Sequence, residues 1–162
     1  MAFLLCETAL EIIRDTAQQN NFEVDINLSS SVQLGDYNYL IVWVDFTKTD
    51  FRKACFGLLS DSTTYRTDDY DSETPFYYLA DGSEAWETMY HGNDGCFGRG
   101  QKGSVNGLKG YLALPVEYFK GMTSQTNVTG IYFYGDVASG YANQPFYFDD
   151  FRLVGNYLYF ER

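Results

Sequence analysis

The feature that most restricts how this chain can fold is a period of two. In the run 21–29, Phe22, Val24, Ile26 and Leu28 take every second position, and Glu23, Asp25 and Asn27 fill the gaps. Successive side chains of an extended strand point to opposite faces, so this run has one apolar face and one wet face. Further strands are read at 8–14, 38–47, 53–60, 75–80, 84–91, 108–114, 128–134, 145–154 and 156–160, separated by Gly, Asp, Asn and Ser clusters. Ten short strands with turn residues between them predict an all-β sandwich or barrel. Residues 8–19 also permit a helix, because Thr8 and Glu11 have capping-box spacing. Residues 115–119 fit one short helical turn.

At 162 residues the chain suits a single domain, 1–162. With 15 Tyr, 13 Phe and 2 Trp it carries more aromatic side chains than a core can absorb. Phe can be buried whole, but each buried Tyr hydroxyl needs a partner, so some Tyr must reach the surface. The formal net charge of −11 leaves no basic track for nucleic acid or an anionic membrane and suits a neutral ligand. Cys6, Cys55 and Cys96 form no metal motif and read as buried thiols. The apolar start, 1–6, is too short for a signal peptide, and no run reaches transmembrane length.

Alternation in 38–47 assigns Leu40, Val42, Val44 and Phe46 to the core and turns Tyr39, Trp43 and Asp45 the other way. In 84–91 Trp86 and Tyr90 share a face, which is outward if Ala85 and Met89 are buried. Ile131 and Phe133 read as core, which turns Tyr132 and Tyr134 outward. A pyranose ring has C–H patches on its faces and hydroxyls around its rim. Flat indole and phenol rings cover the patches, and acids such as Asp25 and Asp45 accept from the hydroxyls. Trp43, Trp86, Tyr39, Tyr90, Tyr132, Tyr134, Asp25 and Asp45 are therefore the candidate ligand contacts.

The segment Leu108 to Pro115 (LKGYLALP), followed by 128–134 (VTGIYFY) and 145–154 (PFYFDDFRLV), resembles the later strands of non-catalytic β-sandwich carbohydrate-binding modules. The segments 9–12 (ALEI) and 22–26 (FEVDI) are similar to the opening strands of that group. The resemblance implies a jelly-roll β-sandwich of two antiparallel sheets with little helix. It also implies a secreted, extracellular setting and a parent glycoside hydrolase or cellulosomal protein from which this domain is excised. The expected ligand is a neutral plant cell-wall β-glycan, with β-1,4-glucan or mixed-linkage glucan first and xylan or mannan next. It further suggests a structural Ca2+ held partly by Asp149 and Asp150. The bland alternative is that one of these aspartates pairs with Arg152 or caps a bulge.

Other motifs carry less. Gly98 to Gly103 matches the spacing G-x-G-x-x-G but lacks the flanking strand and helix that make a dinucleotide site. The stretch 92–107 reads instead as a surface loop offering Arg99, Gln101 and Lys102. The acidic run 68–73 lacks the glycine of an EF-hand, and His91 alone makes no zinc site. The chain is read as not an enzyme. The rivals are a small hydrolase or lyase, with two carboxylates about 5–9.5 Å apart, and a protein-binding adhesin using the same rings as hot spots.

Overall fold

In the computed structural model, the described residues are 2–4, 10–12, 21–61, 63–67, 75–90, 97–98, 103–141 and 144–155. They form eleven strands: β1 (Ala2–Leu4), β2 (Leu10–Ile12), β3 (Asn21–Gln33), β4 (Tyr39–Asp45), β5 (Phe51–Ser60), β6 (Thr63–Arg66), β7 (Pro75–Ala80), β8 (Glu87–Tyr90), β9 (Lys109–Pro115), β10 (Asn127–Val137) and β11 (Phe146–Val154). Among these residues helix is limited to short 3-10 structure, such as the turn Val116–Tyr118 after Pro115. The helical alternative at 8–19 is not adopted where the chain is described, since Leu10–Ile12 is a strand.

All pairings are antiparallel, and they nest. β2 pairs with β11, β3 with β10, β4 with β9 and β5 with β6. The chain thus behaves as one long hairpin whose arms roll up together, which is the jelly-roll solution for a β-sandwich. Rolling sends successive rungs to alternate sheets. One sheet has the order β1-β11-β4-β9-β7-β8, with β2 also on β11; the other has β3-β10-β5-β6. The β7–β8 hairpin widens the first sheet beyond β9.

The two sheets meet through phenylalanine. Phe133 on β10 has ring neighbours Phe51 and Phe56 from its own sheet, and Phe46, Phe146 and Phe148 from the facing one, with centroids 4.8–6.1 Å away. Leu40, Val42, Val44 and Phe46 all turn into this layer and are fully buried, as alternation along β4 requires. Phe76 and Tyr78 of β7 do the same, which sends Tyr77 to the opposite side. Cys55 is a buried free thiol. Cys6, Cys96, His91, the run 68–73, Arg99, Gln101, Lys102 and the strand read at 156–160 lie outside the described residues.

The reading of 92–107 as a surface loop needs correction at two points. Phe97 is buried against Phe56 and Phe76, and Val105 is buried too. The Phe97 N–H donates to Ala54 O and the Val105 N–H to Phe97 O, so this part of the loop is fastened to β5. Glycines hide the periodicity there, and single apolar anchors do the fastening.

Because Phe133 joins both sheets, Phe133→Ala is expected to cost about 3–5 kcal/mol. Urea denaturation checks this through a lowered midpoint with an unchanged slope.

Candidate functional site

The outer face of the larger sheet carries the rings. Across it, Tyr147 of β11 lies opposite Asp45 of β4, and Asp45 opposite Lys109 of β9. The next row runs Asp149, Trp43, Tyr111, Leu79. The row after it runs Arg152, Ile41, Ala113, Tyr77, Thr88. Ile41 and Ala113 are fully buried although they face away from the main core. Tyr39, Tyr77, Trp86 and Tyr111 pack over this floor and are themselves only half-buried. The result is a platform of aromatic rings resting on two buried apolar residues.

At the Trp43 end, polar groups are engaged with one another. Trp43 Nε1–H donates to Asp81 Oδ1 at 2.8 Å, in the turn between β7 and β8. Lys109 Nζ sits 5.9 Å from the Trp43 ring centroid and 3.3 Å from Asp45 Oδ2. Asp45 Oδ1 accepts from the Thr47 hydroxyl at 2.6 Å and the Thr47 N–H at 3.1 Å. Burial alone would raise the Asp45 carboxyl; the Thr47 bonds and the Lys109 ammonium outweigh it and hold it below its ordinary value.

Beside Trp43 the sheet is interrupted. Between the pairs Asp149–Trp43 and Arg152–Ile41, β11 spends one residue more than β4. This is a β-bulge, and Asp150 takes φ +51° there, a left-handed conformation that Asp tolerates better than most residues. β1 and β2 pair with β11 on either side of it, ending at Arg152 and Phe148. Asp150 accepts from Arg152 Nε at 2.6 Å and Nη2 at 2.8 Å, and from the Tyr111 hydroxyl at 2.6 Å. Burial, with the bond to Asp150 and its charge, pushes the Tyr111 phenol up to about 12.

The opposite end differs. A recess of about 360 Å³ is lined by Tyr37, Asn38, Tyr39, Pro75, Tyr77, Pro115, Val116 and Glu117. Tyr39 and Tyr77 meet edge to face, with centroids 6.1 Å apart and planes at 71°. Burial, then the neighbouring Tyr77 and Glu117, raise the Tyr39 phenol above its ordinary value.

Of the residues singled out from sequence, Tyr39, Trp43, Asp45, Trp86 and Tyr90 belong to this face. Met89 packs on the core, which leaves Tyr90 of the same strand 49 % exposed. Asp25, Tyr132 and Tyr134 do not belong here. They lie on the outer face of the smaller sheet, because β10 pairs with β3 and β5 rather than with β4. Tyr132 is also buried rather than outward-exposed. Its hydroxyl donates to Glu23 at 2.9 Å, and the Arg66 guanidinium lies 5.2 Å over its ring. Gly57 makes room for it, since a Cβ there would sit 2.9 Å from Tyr132 Cδ1.

Asp149 and Asp150, as placed, do not fit a calcium site. Calcium needs about 6–8 oxygens. Both Asp150 oxygens are taken by Arg152 and Tyr111, and Asp149 Oδ1 accepts the Asp150 N–H at 2.7 Å. Among the described residues no group of three acids, histidines or cysteines is gathered for a metal.

Sequence reading missed Tyr77, Tyr111, Asp81 and Glu117. Tyr111 was accessible: in 109–115, Gly110, Leu112 and Leu114 alternate with Lys109, Tyr111 and Ala113. Asp81 was not, because its bond to Trp43 needs the strand order β4-β9-β7.

Tyr111 carries a pH signature. Its folded value, about 12, exceeds the ordinary 10.0, so its contribution to stability is complete below pH ~10 and is lost as pH rises through about 12. Tyr111→Phe is expected to remove that loss, which urea denaturation at pH values from about 9 to about 12 checks. Asp150→Asn is expected to bring the phenol down, which NMR of ring-labelled tyrosine checks. Compared with protein-family models, with curated proteins and with solved structures, the chain matches none.

Proposed function

We propose that the outer face of the larger sheet binds a neutral plant cell-wall β-glycan without cleaving it, and that this holds an appended secreted enzyme at its substrate. The observation that carries the reading is the cluster of half-buried rings, Tyr39, Tyr77, Trp86 and Tyr111, over the buried Ile41–Ala113 floor, with half-buried Trp43 beside Tyr111 in the adjoining row. An extended glycan is a ribbon, and a ribbon needs platforms spread along a face rather than one deep pocket. Strands spaced about 4.8 Å apart supply them. Rings held from below keep their solvent side for pyranose C–H groups. Asp149 edges the Trp43 row and supplies acceptor oxygen for hydroxyls, while Asp45 and Arg152 beside it are engaged by protein partners.

A non-catalytic role agrees with the state of the acids. Glycoside hydrolysis needs one carboxylic acid with a raised pKa. Asp45, the acid beside Trp43, is held below its ordinary value instead. β-1,4-Glucan or mixed-linkage glucan is the first expected ligand, with xylan or mannan next.

Trp43→Ala is expected to weaken glucan binding by at least ~2 kcal/mol, about thirtyfold, in calorimetry or affinity electrophoresis. Tyr134→Ala, on the other sheet, should leave binding unchanged. A folded Trp43→Ala protein that binds as tightly as the parent would refute the platform, and release of reducing ends would replace the binder with an enzyme.

A further inference from the structure

We infer that the recess between Tyr37, Tyr39 and Tyr77 is an aromatic cage for an organic ammonium cation, with Glu117 as its counter-ion. This inference stands apart from the polysaccharide reading and does not rest on it. The recess lies at the far end of the same face, and its chemistry is different. At the Trp43 end the cations Lys109 and Arg152 are bound to Asp45 and Asp150. Among the described residues, the only charged group lining the recess is Glu117. Among the described residues, Glu117 has no ion pair or hydrogen bond. The hydroxyls of Tyr37, Tyr39 and Tyr77 and the Asn38 amide likewise make no side-chain hydrogen bond among the described residues.

Each ligand class can be weighed against this lining. An anion is opposed by Glu117 and by the chain's net charge of −11. A divalent metal ion wants several hard oxygens, and a single carboxylate with phenol rings does not provide them. A purely apolar ligand would bury the carboxylate and amide without partners, which is costly. A large, weakly hydrated cation uses everything present. The rings attract it through their negative faces, and the carboxylate supplies the Coulomb term. In the edge-to-face Tyr39–Tyr77 pair, the ring that contributes its edge keeps both its faces clear of the other, and the two form a corner. Pro75 and Pro115 complete apolar walls suited to N-alkyl groups. The volume, about 360 Å³, is at the small end of the ~300–1,000 Å³ typical of ligand pockets.

The test is an NMR titration with choline chloride, alongside its uncharged analogue in which a quaternary carbon replaces the nitrogen, at fixed ionic strength. Choline is expected to shift the amides around 37–39, 77 and 115–117, and to bind about tenfold or more tightly than the carbon analogue. Glu117→Gln, an exposed site on the 3-10 turn, should weaken choline several-fold and leave the analogue unaffected. Tyr77→Leu keeps an apolar cover over Ala113 and should weaken choline about tenfold. Equal binding of choline and analogue, choline binding indifferent to Glu117→Gln in a folded protein, or no shifts with choline would each overturn the cage.

Discussion

A single oxygen atom sorts the aromatic residues of this protein. Phe and Tyr have the same ring, but burying Tyr obliges the fold to find a partner for its hydroxyl. Every Phe whose side chain is described is buried, except half-buried Phe22. Among the described tyrosines only Tyr78, Tyr118 and Tyr132 are buried. Tyr78 donates to Lys109 O at 2.9 Å and Tyr132 to Glu23. The remaining tyrosines are placed where water or a ligand can reach them. The phenylalanine layer glues the sheets, and the tyrosines are left over for the outside.

β4 converts this sorting into geometry. It is central in the larger sheet, between β11 and β9, so its register decides which side chains meet on both faces. On the inner face it leads into Phe46, whose ring touches Phe51, Phe133, Phe146 and Phe148. On the outer face it holds Ile41 under the rings and Trp43 among them. A one-residue slip of β4 would exchange these two sets, burying Trp43 and Asp45 and exposing Leu40 and Val42. The bulge in β11 falls between the partners of Trp43 and Ile41, and the turned-out Asp150 bonds Tyr111 on the next strand but one. A backbone irregularity on one strand thus fixes a ring two strands away.

Much of this was written in the sequence at short range and little of it at long range. The period of two gave the faces of β3 and β4, because those runs are long and their alternation is clean. It does not decide 75–80, since aromatic residues occupy both faces; in the structure Phe76 and Tyr78 are inside. β6, Thr63–Arg66, passed unnoticed because its residues are mostly polar and its pairing to β5 is what makes it a strand. Outward direction was legible for Tyr132 and Tyr134, but which sheet they faced out from was not. That depends on the nesting of β3 with β10, more than a hundred residues apart for the bonded pair Glu23–Tyr132. Alternation tells in from out, and only topology tells one outside from the other.

The outer face of the larger sheet therefore has two physical regimes. Around Trp43 the indole, Tyr111, Asp45 and Asp150 are bound to protein partners before any ligand arrives. Such rings lose little conformational freedom on binding, so contact with a ligand is not offset by ordering. They also have little hydrogen-bonding capacity left over, which suits a surface that reads shape more than polar detail. Around Tyr39 and Tyr77 the phenols, the Asn38 amide and the Glu117 carboxylate have no protein partner among the described residues. Exchange of water for a ligand there can satisfy several polar groups at once, and a ligand that leaves one of them unmatched is penalised. On these grounds the cage proposed at the recess would discriminate between similar ligands more sharply than the platform proposed around Trp43.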